Sequence, residues 1–491
     1  MVVGLYTSRV VLKALGETDF GIYGVVGGVL TLFKFLKLSI TNCTQRFISY
    51  AVGKKDTVLL RNTFTTSLYI HLIIGIVIVI LCESIGVWFL NNVLNIPNER
   101  MAAANWVLQF SIISVFFTIT SIPYIATIIA HEKMSAFAYL SLLEAFLKLG
   151  IAIAIDYYGG DRLILYAGLL ALSVLIIRVA YNIYCGKHFT ETGYSLKKDK
   201  SIIKEFTSFV SWNMYMVLAT FGPGQGLNML LNIFFGPAVN AARSISYTVQ
   251  GHITQFTHNF MVAVRPQIVK YYAEGDLKNM YKLMFRSAKF SFFLMFVITL
   301  PIWICSDQIL EIWLDKVPRY SVEFCDIVLL INLVNVFSNP LLAATQATGN
   351  MKLHSILGGT NLLLILPVAY IVLKMGGEPM SVFYVSFIFY IFHVLIKLYV
   401  NKKILNFPIM DFLKNNLLKC WAIAILIGIL PYYLHKIMPQ TILSMLFVFT
   451  LCLILSVSVI YLYGLDKTEK GFLRNKISSV TKKFKKRNGN T

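Results

Sequence analysis

Apolar segments recur along the whole of this 491-residue chain. Each is close to the 20 or so residues that an α-helix needs to cross the hydrocarbon core of a bilayer. The segments are too long, and alternate too little, for the strands of a membrane barrel. The sequence therefore predicts an all-α polytopic membrane protein with fourteen transmembrane helices. The predicted spans cover residues 1–14, 22–45, 66–90, 105–129, 136–157, 163–185, 209–234, 237–262, 284–305, 321–346, 352–373, 380–400, 416–434 and 441–463.

Composition and motifs exclude several classes of protein. The chain is 57% hydrophobic and only 14% charged, which excludes a water-soluble globule. Its 7 cysteines include no C-x-x-C pair and its 8 histidines form no H-E-x-x-H motif, so we expect neither a disulfide framework nor a metal site. No Walker A motif for ATP hydrolysis is present. We therefore expect a protein that is not an enzyme and that needs no cofactor.

The chain contains an internal repeat. The sequence SIPYIATIIAHEKM at 121–134 returns as SNPLLAATQATGNM at 338–351, at an offset of 217 residues. Further matches at an offset of 220 join Leu15-Gly16 to Phe235-Gly236 and residues 53–56 to 274–276. Two such halves predict two similar helical lobes, with a ligand site where the repeats meet. The predicted parts are an N-terminal six-helix lobe at 1–185, a cytoplasmic linker at 186–208, a C-terminal six-helix lobe at 209–405, two accessory helices at 406–464 and a basic cytoplasmic tail at 465–491.

The net charge of +21 is unevenly placed along the chain. Of the 44 Lys and Arg residues, 31 fall in one set of loops and in the tail, 7 fall in the opposite loops and 6 lie within spans. This asymmetry predicts that both termini are cytoplasmic. We interpret the KKFKKR sequence at 482–487 as an anchor to anionic membrane lipids and expect no nucleic-acid partner.

The second predicted span carries two lysines deep in the membrane, where snorkelling to the surface helps least. Lys34 and Lys37 share one helical face with three polar residues, Thr31, Thr41 and Gln45. One interpretation is a wet face that lines a cavity, and the other is that the lysines pair with acids such as Glu83 or Glu144. Glu144 also precedes Lys148 by four residues, which predicts an ion pair within one helix.

The eighth predicted span has an unusually polar face. Asn240, Arg243 and Tyr247 are three and four residues apart, and the face continues through Gly251, Thr254 and His258. Asparagines 332, 335 and 339 of the tenth span need no more than interhelical hydrogen bonding. A buried arginine favours an aqueous cavity more strongly. Together with Arg9 in the first span and the two lysines, Arg243 predicts a cationic chamber suited to an anion such as a phosphate.

Two further features bear on transport. Glu83 and Asp326 are candidate ion-coupling residues, although for Glu83 a partner on another helix explains an intramembrane acid equally well. Gly222, Pro223 and Gly224 interrupt the seventh span, since proline removes a backbone donor there. We interpret this segment as a kinked or unwound hinge, with a purely structural kink as the alternative.

The sequence resembles the Wzx-type flippases of lipopolysaccharide, O-antigen and other polysaccharides. The resemblance rests on LYTSRVVLKALGETDFGIYGVVGGV near the N-terminus, TQRFISYAVGKKD at 44–56, PYIATIIAHEKMSAFAYLSLLEAFLKL at 123–149 and NAARSIS at 240–246. It covers essentially the whole chain. These flippases belong to the MATE-like MOP superfamily, with the lipid II flippases and the multidrug exporters. By position, Arg9, Arg46 and Arg243 match the basic cavity residues that are thought to engage pyrophosphate in such flippases.

The resemblance implies a function. Two lobes would alternate between inward-open and outward-open forms and move undecaprenyl-pyrophosphate-linked oligosaccharide from the cytoplasmic to the periplasmic leaflet of the bacterial inner membrane. The product would serve O-antigen, capsule or exopolysaccharide synthesis, with a polymerase and a chain-length regulator as further partners.

Three other functions fit the sequence less well than flipping. The first alternative is a cation-coupled multidrug exporter of the MATE type, but a cavity for cationic drugs would favour acids, and the intramembrane excess here is basic. A polysaccharide polymerase or membrane glycosyltransferase needs a larger outer loop than this sequence has. A passive channel fits the doubled plan poorly.

Overall fold

The computed structural model describes residues 2–31, 34–92, 96–193, 200–314 and 317–471. Across these ranges the structure is helical and contains no β-strand, so the predicted all-α fold is confirmed. Helices suit an apolar solvent because a helix pairs its own backbone N–H and C=O groups. The helices are α1 Val2–Thr31, α2 Lys34–Lys54, α3 Thr57–Leu81, α4 Val87–Asn92, α5 Met101–Ala130, α6 Met134–Ala154, α7 Arg162–His188, α8 Lys200–Phe235, α9 Pro237–Glu274, α10 Leu277–Ile304, α11 Ser306–Trp313, α12 Ser321–Asn335, α13 Ser338–Thr348, α14 Lys352–His354, α15 Thr360–Leu363, α16 Ile365–Lys374, α17 Ser381–Leu405, α18 Ile409–Phe412, α19 Lys419–Ile437 and α20 Ile442–Val459.

The helices agree with most of the predicted spans. Each of the fourteen predicted spans overlaps a helix of the structure. In the part of the chain that the structure describes, 9 helical stretches are long and apolar enough to cross a membrane, or 10 if the bent pair α12 and α13 is one span. The remaining predicted spans fall on α1, α2, α8 and α9. Short π-helical turns extend α3, α14, α18 and α20 at Cys82–Gly86, Ser355–Gly359, Leu413–Leu418 and Ile460–Gly464.

The helices differ from the predictions in some details. The predicted span at 22–45 falls on α1 Val2–Thr31 and α2 Lys34–Lys54, and residues 32 and 33 lie outside the described part of the chain. Helix α8, Lys200–Phe235, includes residues 200–208, which precede the predicted span at 209–234. The helix α8 also continues through Gly222–Gly224, so the unwound alternative for this segment is wrong. Proline removes only one backbone donor and keeps a helical φ, and a long helix tolerates that loss.

The internal repeat is visible in the backbone as pairs of residues with positive φ. Gly16 (φ 77°) and Gly236 (φ 81°) stand 220 residues apart, as do Lys55 (φ 57°) and Gly275 (φ 81°). Glu132 (φ 58°) and Gly349 (φ 78°) stand 217 residues apart. These are the two offsets of the sequence repeat, so both halves turn at equivalent places.

The residues that follow two of these turns also match. Asp56 accepts hydrogen bonds from the backbone N–H groups of Val58 and Leu59 at the start of α3. Asp276, at an offset of 220, accepts one from the Asn279 N–H at the start of α10. Each aspartate therefore satisfies orphan donors at a helix start in its own half.

The chain divides into two compact units. Unit 1 comprises Met1–Leu218, Val262–Met280 and Gln346–Ser355, and unit 2 comprises Ala219–Met261, Tyr281–Thr345 and Ile356–Thr491. In unit 1, Phe64 of α3 packs edge-on against Tyr124 of α5 with ring centres 5.3 Å apart. In unit 2, Phe292 of α10 stacks on Phe337 at 5.0 Å. The predicted lobe and linker boundaries stay a prediction.

The positive φ of Gly275 leads to a prediction about stability. A Cβ at Gly275 would meet no atom within 4 Å. Gly275→Ala should therefore lower the free energy of unfolding through its backbone conformation alone, by about 1–2 kcal/mol. Gly186 in α7 has equally open surroundings but no positive φ. Gly186→Ala should therefore leave stability unchanged or raise it by up to about 1 kcal/mol. Thermal unfolding of the two detergent-purified variants measures this difference, and equal shifts would contradict the assigned turn.

Candidate functional site

Arg243 on α9 is a buried cation held by neutral groups. The residue is 7% exposed. Its Nη1 donates to the Asn228 side-chain oxygen at 3.1 Å and its Nη2 donates to the Gly224 carbonyl at 2.8 Å, both on α8. The guanidinium carbon lies 4.3 Å from the centre of the Tyr247 ring, one turn along α9. The structure thus brings together three of the predicted site residues: Arg243, Tyr247 and Gly224.

The charge of Arg243 is not neutralised by a carboxylate in the part of the chain that the structure describes. None of the ion pairs there, defined by a nitrogen-to-oxygen distance of 4.0 Å or less, includes this residue. Its Nε is buried and has no hydrogen-bond partner among the described residues. A buried charge with only neutral partners is costly, and such residues in membrane proteins commonly mark a ligand pathway. An anion that approaches Nε would supply the missing compensation.

Polar groups continue along the same face of α9. The side-chain oxygen of Asn240 is buried and unpaired among the described residues. Gln250 donates to the Asn332 side-chain oxygen at 2.8 Å and so joins α9 to α12. This contact is the interhelical use that the sequence predicts for the asparagines of the tenth span. Asn240, Arg243, Tyr247 and Gln250 are three, four and three residues apart, so they form one polar stripe.

Arg46 on α2, in unit 1, has a different environment. The residue is 8% exposed, and its Nη2 donates to the Ala347 carbonyl at 3.3 Å, near the end of α13. Its guanidinium carbon lies 4.5 Å from the Phe47 ring centre and 5.0 Å from that of Tyr50. The positive φ of Gly349 favours glycine there, and an added Cβ would lie 2.5 Å from Nη2 and would displace the guanidinium. Arg46 therefore stabilises the end of a helix, besides its predicted role in binding.

The predicted cationic chamber is only partly described. Lys37 is exposed and lies within electrostatic range of Glu144 and Lys148. Those two residues form the predicted ion pair on α6, with Nζ 2.5 Å from Oε1. The side chains of Arg9 and Lys34 lie outside the part that the structure describes. Their place in a chamber stays a prediction.

The candidate ion-coupling acids differ from each other. Glu83 is exposed and accepts a hydrogen bond of 2.9 Å from Gln109 on α5, so its partner lies on another helix and is neutral. Asp326 on α12 is partly buried, and its Oδ1 has no hydrogen-bond partner among the described residues. Asp307 and Glu323 act on it electrostatically. Ion coupling by either acid stays a prediction.

Sequence reasoning missed two parts of this geometry. The sequence assigns no role to Asn228, yet it holds Arg243. Arg265 follows the predicted span at 237–262, but it lies within α9 and donates to the Asn42 side-chain oxygen at 3.2 Å in unit 1. Its Nε is buried and unpaired among the described residues. The signal for Arg265 was present, because it stands seven residues after His258 on the polar face of α9.

Comparison with known proteins identifies the fold. Residues 215–371 match the MatE family model. The structure is similar to a crystal structure of MATE in the bent conformation, with TM-score 0.73, 15% identity and coverage of 82% of this chain and 90% of that chain. The chain has a MATE fold. The family model matches only part of the chain, and the likeness to solved structures shows the fold.

Two more MATE-fold structures are informative. An outward-facing multidrug resistance MATE family transporter of the MOP superfamily gives a TM-score of 0.67 at 16% identity, covering 83% of this chain and 92% of that chain. A MOP superfamily transporter from Pyrococcus furiosus gives 0.71 at 14% identity, covering 84% and 92%. A comparison with curated protein sequences gives no match.

An ion pair in unit 1 joins the two repeats of the MATE fold. Glu132, in the turn after α5, accepts hydrogen bonds from Lys270 Nζ at 2.5 Å and from Gln267 at 3.0 Å, both on α9. Burial opposes ionisation of Glu132, but these donors outweigh it and lower the pKa of its carboxyl. Arg46 meets the equivalent turn at Gly349 in the second repeat.

The lowered pKa of Glu132 predicts a pH-dependent contribution to stability. The contribution is complete above the ordinary glutamate pKa of about 4.3 and is lost as pH falls through the lowered value. Glu132→Gln should therefore lower the melting temperature at pH 7, and the difference from wild type should shrink as pH falls from 6 to 3. Differential scanning fluorimetry of both proteins in one detergent measures it. A difference that stays constant across this range would contradict the assignment.

Proposed function

We propose that this protein is a flippase that moves undecaprenyl-pyrophosphate-linked oligosaccharide from the cytoplasmic to the periplasmic leaflet by alternating access. The single observation that carries the proposal is the buried guanidinium of Arg243, held by Asn228 and Gly224 without a carboxylate in the described structure. A cargo with a pyrophosphate group supplies the negative charge that this environment lacks. A neutral or cationic cargo leaves the charge of Arg243 uncompensated.

The chemistry of the contact follows from the guanidinium. Arginine presents a planar set of N–H donors that matches two oxygens of one phosphate group. Nε is already unpaired, and the bonds to the Gly224 carbonyl and the Asn228 amide hold the rest of the group in a fixed plane. We expect pyrophosphate to bind at Nε and to compete with the neutral acceptors for the remaining N–H groups.

The sugar portion of the cargo needs neutral polar partners. Beyond its polar stripe, α9 offers further neutral amide groups, the exposed pair Gln255 and Asn259, which bond each other at 2.9 Å. Such groups exchange hydrogen bonds with hydroxyls at little cost, because each exchange replaces one neutral bond with another. The polyprenyl chain would stay in the bilayer, where its apolar surface needs no partner.

A cation-coupled multidrug exporter is the second candidate. The similar structure of a multidrug resistance MATE transporter and the partly buried acid Asp326 favour it. In the similar transporter from Pyrococcus furiosus, however, the reverse polarity of the binding pocket suggests a different function. Superfamily membership is therefore compatible with more than one cargo, and the sign of the buried charge favours the anionic one here.

The proposal also includes a place in the cell. We place the protein in the bacterial cytoplasmic membrane with both termini in the cytoplasm, on the loop charges of the sequence. A polysaccharide polymerase and a chain-length regulator are its proposed protein partners. The product would be used for O-antigen, capsule or exopolysaccharide synthesis.

A flipping assay on reconstituted Arg243 variants tests the proposal. The probe is a fluorescent neryl-neryl pyrophosphate disaccharide in proteoliposomes, and protection from dithionite reports its transfer between leaflets. We expect Arg243→Ala to reduce the rate at least about tenfold, since the lost charge-assisted bonds contribute about 1.5–3 kcal/mol. Arg243→Lys should give an intermediate rate, because a point charge remains without the planar fork.

The matched control removes two exposed charges at the end of α17. The double variant Lys402→Gln and Lys403→Gln should keep the wild-type rate. Efflux of ethidium from the same vesicles tests the second candidate. A wild-type rate for Arg243→Ala, or ethidium export that depends on Asp326, would overturn the flippase proposal.

A further inference from the structure

Two helices of unit 2, α10 and α19, form a continuous seam. The Asn416 side chain, just before α19, donates to the Phe285 carbonyl at 2.8 Å. Further along, the rings of Phe292 and Trp421 are 5.4 Å apart. The contacts advance together along both helices, so the helices run in the same direction. We call this line of contact the α10–α19 seam.

A polar pocket lies at the start of the seam, at the predicted cytoplasmic end. Its volume is about 260 Å³, and it is lined by three cations and two acids: Arg286, Lys289, Lys419, Asp466 and Glu469. Lys289 Nζ lies 2.6 Å from Glu469 Oε2 and 3.1 Å from Asp466 Oδ2. Lys289 and Glu469 are both nearly inaccessible, with side chains 6% and 3% exposed. Lys289 is therefore fully engaged by the two acids.

The other two cations of this pocket are more exposed, and Arg286 also donates to the Thr468 hydroxyl at 3.1 Å. The Arg286 side chain is 51% exposed and lies 3.9 Å from Glu469, while the Lys419 side chain is 40% exposed and lies 3.8 Å from Asp466. Neither distance is that of a strong charge-assisted hydrogen bond. Three cations against two carboxylates leave one formal positive charge. A monoanionic group would balance it.

An apolar groove continues the same seam beyond the pocket. Its volume is about 310 Å³, and its lining includes Phe296, Leu300 and Trp303 of α10 with Trp421 and Gly428 of α19. The groove has room at Gly428, since an added Cβ there would meet only Leu300, at 3.6 Å. Lys289 precedes Phe296 by seven residues, which is about 10 Å along a helix. That is a suitable distance between a phosphate group and the upper part of an acyl chain.

We propose that the α10–α19 seam binds an anionic diacyl phospholipid of the cytoplasmic leaflet. Its phosphate lies between Arg286 and Lys419, and one acyl chain fills the groove from Phe296 to Trp303. Charge complementarity selects an anionic headgroup, and the continuity of pocket and groove on the same two helices selects an amphiphile over a free anion. The site is separate from Arg243 and does not depend on the cargo of the transporter.

Tryptophan quenching by brominated lipid tests the site. The protein keeps Trp421 and has its other five tryptophans replaced by phenylalanine, and it is reconstituted in phosphatidylcholine with dibrominated phosphatidylglycerol. We expect brominated phosphatidylglycerol to associate at Trp421 about 5-fold more strongly than brominated phosphatidylcholine, since one unbalanced positive charge near a membrane surface contributes about 1 kcal/mol. Equal quenching by the two lipids would overturn the proposal.

Further variants test the headgroup contact and the acyl-chain contact separately. The double change Arg286→Gln and Lys419→Gln should abolish the preference, so that phosphatidylglycerol and phosphatidylcholine associate about equally. The matched control Lys402→Gln and Lys403→Gln, which removes two exposed charges at the end of α17, should leave it unchanged. Gly428→Leu fills the groove and should reduce quenching by both lipids. Loss of preference in the control instead of the seam variant would show a general surface effect and overturn the assignment.

Two measurements on the unaltered chain keep the proposal falsifiable if the tryptophan variant does not fold. Native mass spectrometry in an equimolar mixture should retain phosphatidylglycerol on the wild-type protein in preference to phosphatidylcholine. Addition of 10 mM inorganic phosphate or of decaprenyl phosphate should not remove it. Displacement by inorganic phosphate would indicate an ion site, and displacement by decaprenyl phosphate would indicate a polyprenyl site; either result would overturn the phospholipid assignment.

Discussion

Backbone groups inside a bilayer have no water to bind, and this constraint shapes the whole chain. The structure meets it with long helices and confines several of its turns to residues of positive φ. Those turns recur at the offsets of the sequence repeat, at Gly16 and Gly236, and again at Lys55 and Gly275. Repetition at the level of φ shows that the two halves share a backbone plan and not merely an apolar pattern. The MATE fold follows from that plan.

The two buried arginines show how the same residue serves two purposes in this fold. Arg46 donates a hydrogen bond to the Ala347 carbonyl and lies against aromatic rings. Its guanidinium therefore stabilises the end of α13. Arg243 also has neutral acceptors, and it stands on the polar stripe of α9. In both arginines Nε is buried and has no hydrogen-bond partner among the described residues. Loss of Arg46 should affect stability as well as transport.

Much of the fold and some of the site could be predicted from the sequence. The length of the apolar segments predicted the helices. The spacing of four residues predicted the ion pair between Glu144 and Lys148. The partner of Arg243 could not be predicted, because the contact with Asn228 depends on how α8 and α9 pack. The break at Gly16 was missed as a backbone feature, although this glycine was part of the repeat. Pro223 was over-interpreted, since a proline in a long helix removes one bond without unwinding its neighbours.

The central claim is that the buried charge of Arg243 is kept for an anion. Isothermal titration calorimetry with citronellyl pyrophosphate tests it most directly, because this probe carries the charged group without the sugar and without a long chain. The account predicts that the wild-type protein binds this anion at least about tenfold more tightly than Arg243→Ala does and does not bind tetraphenylphosphonium. Equal affinity of both proteins for the anion, together with binding of the cation by the wild type, would contradict it.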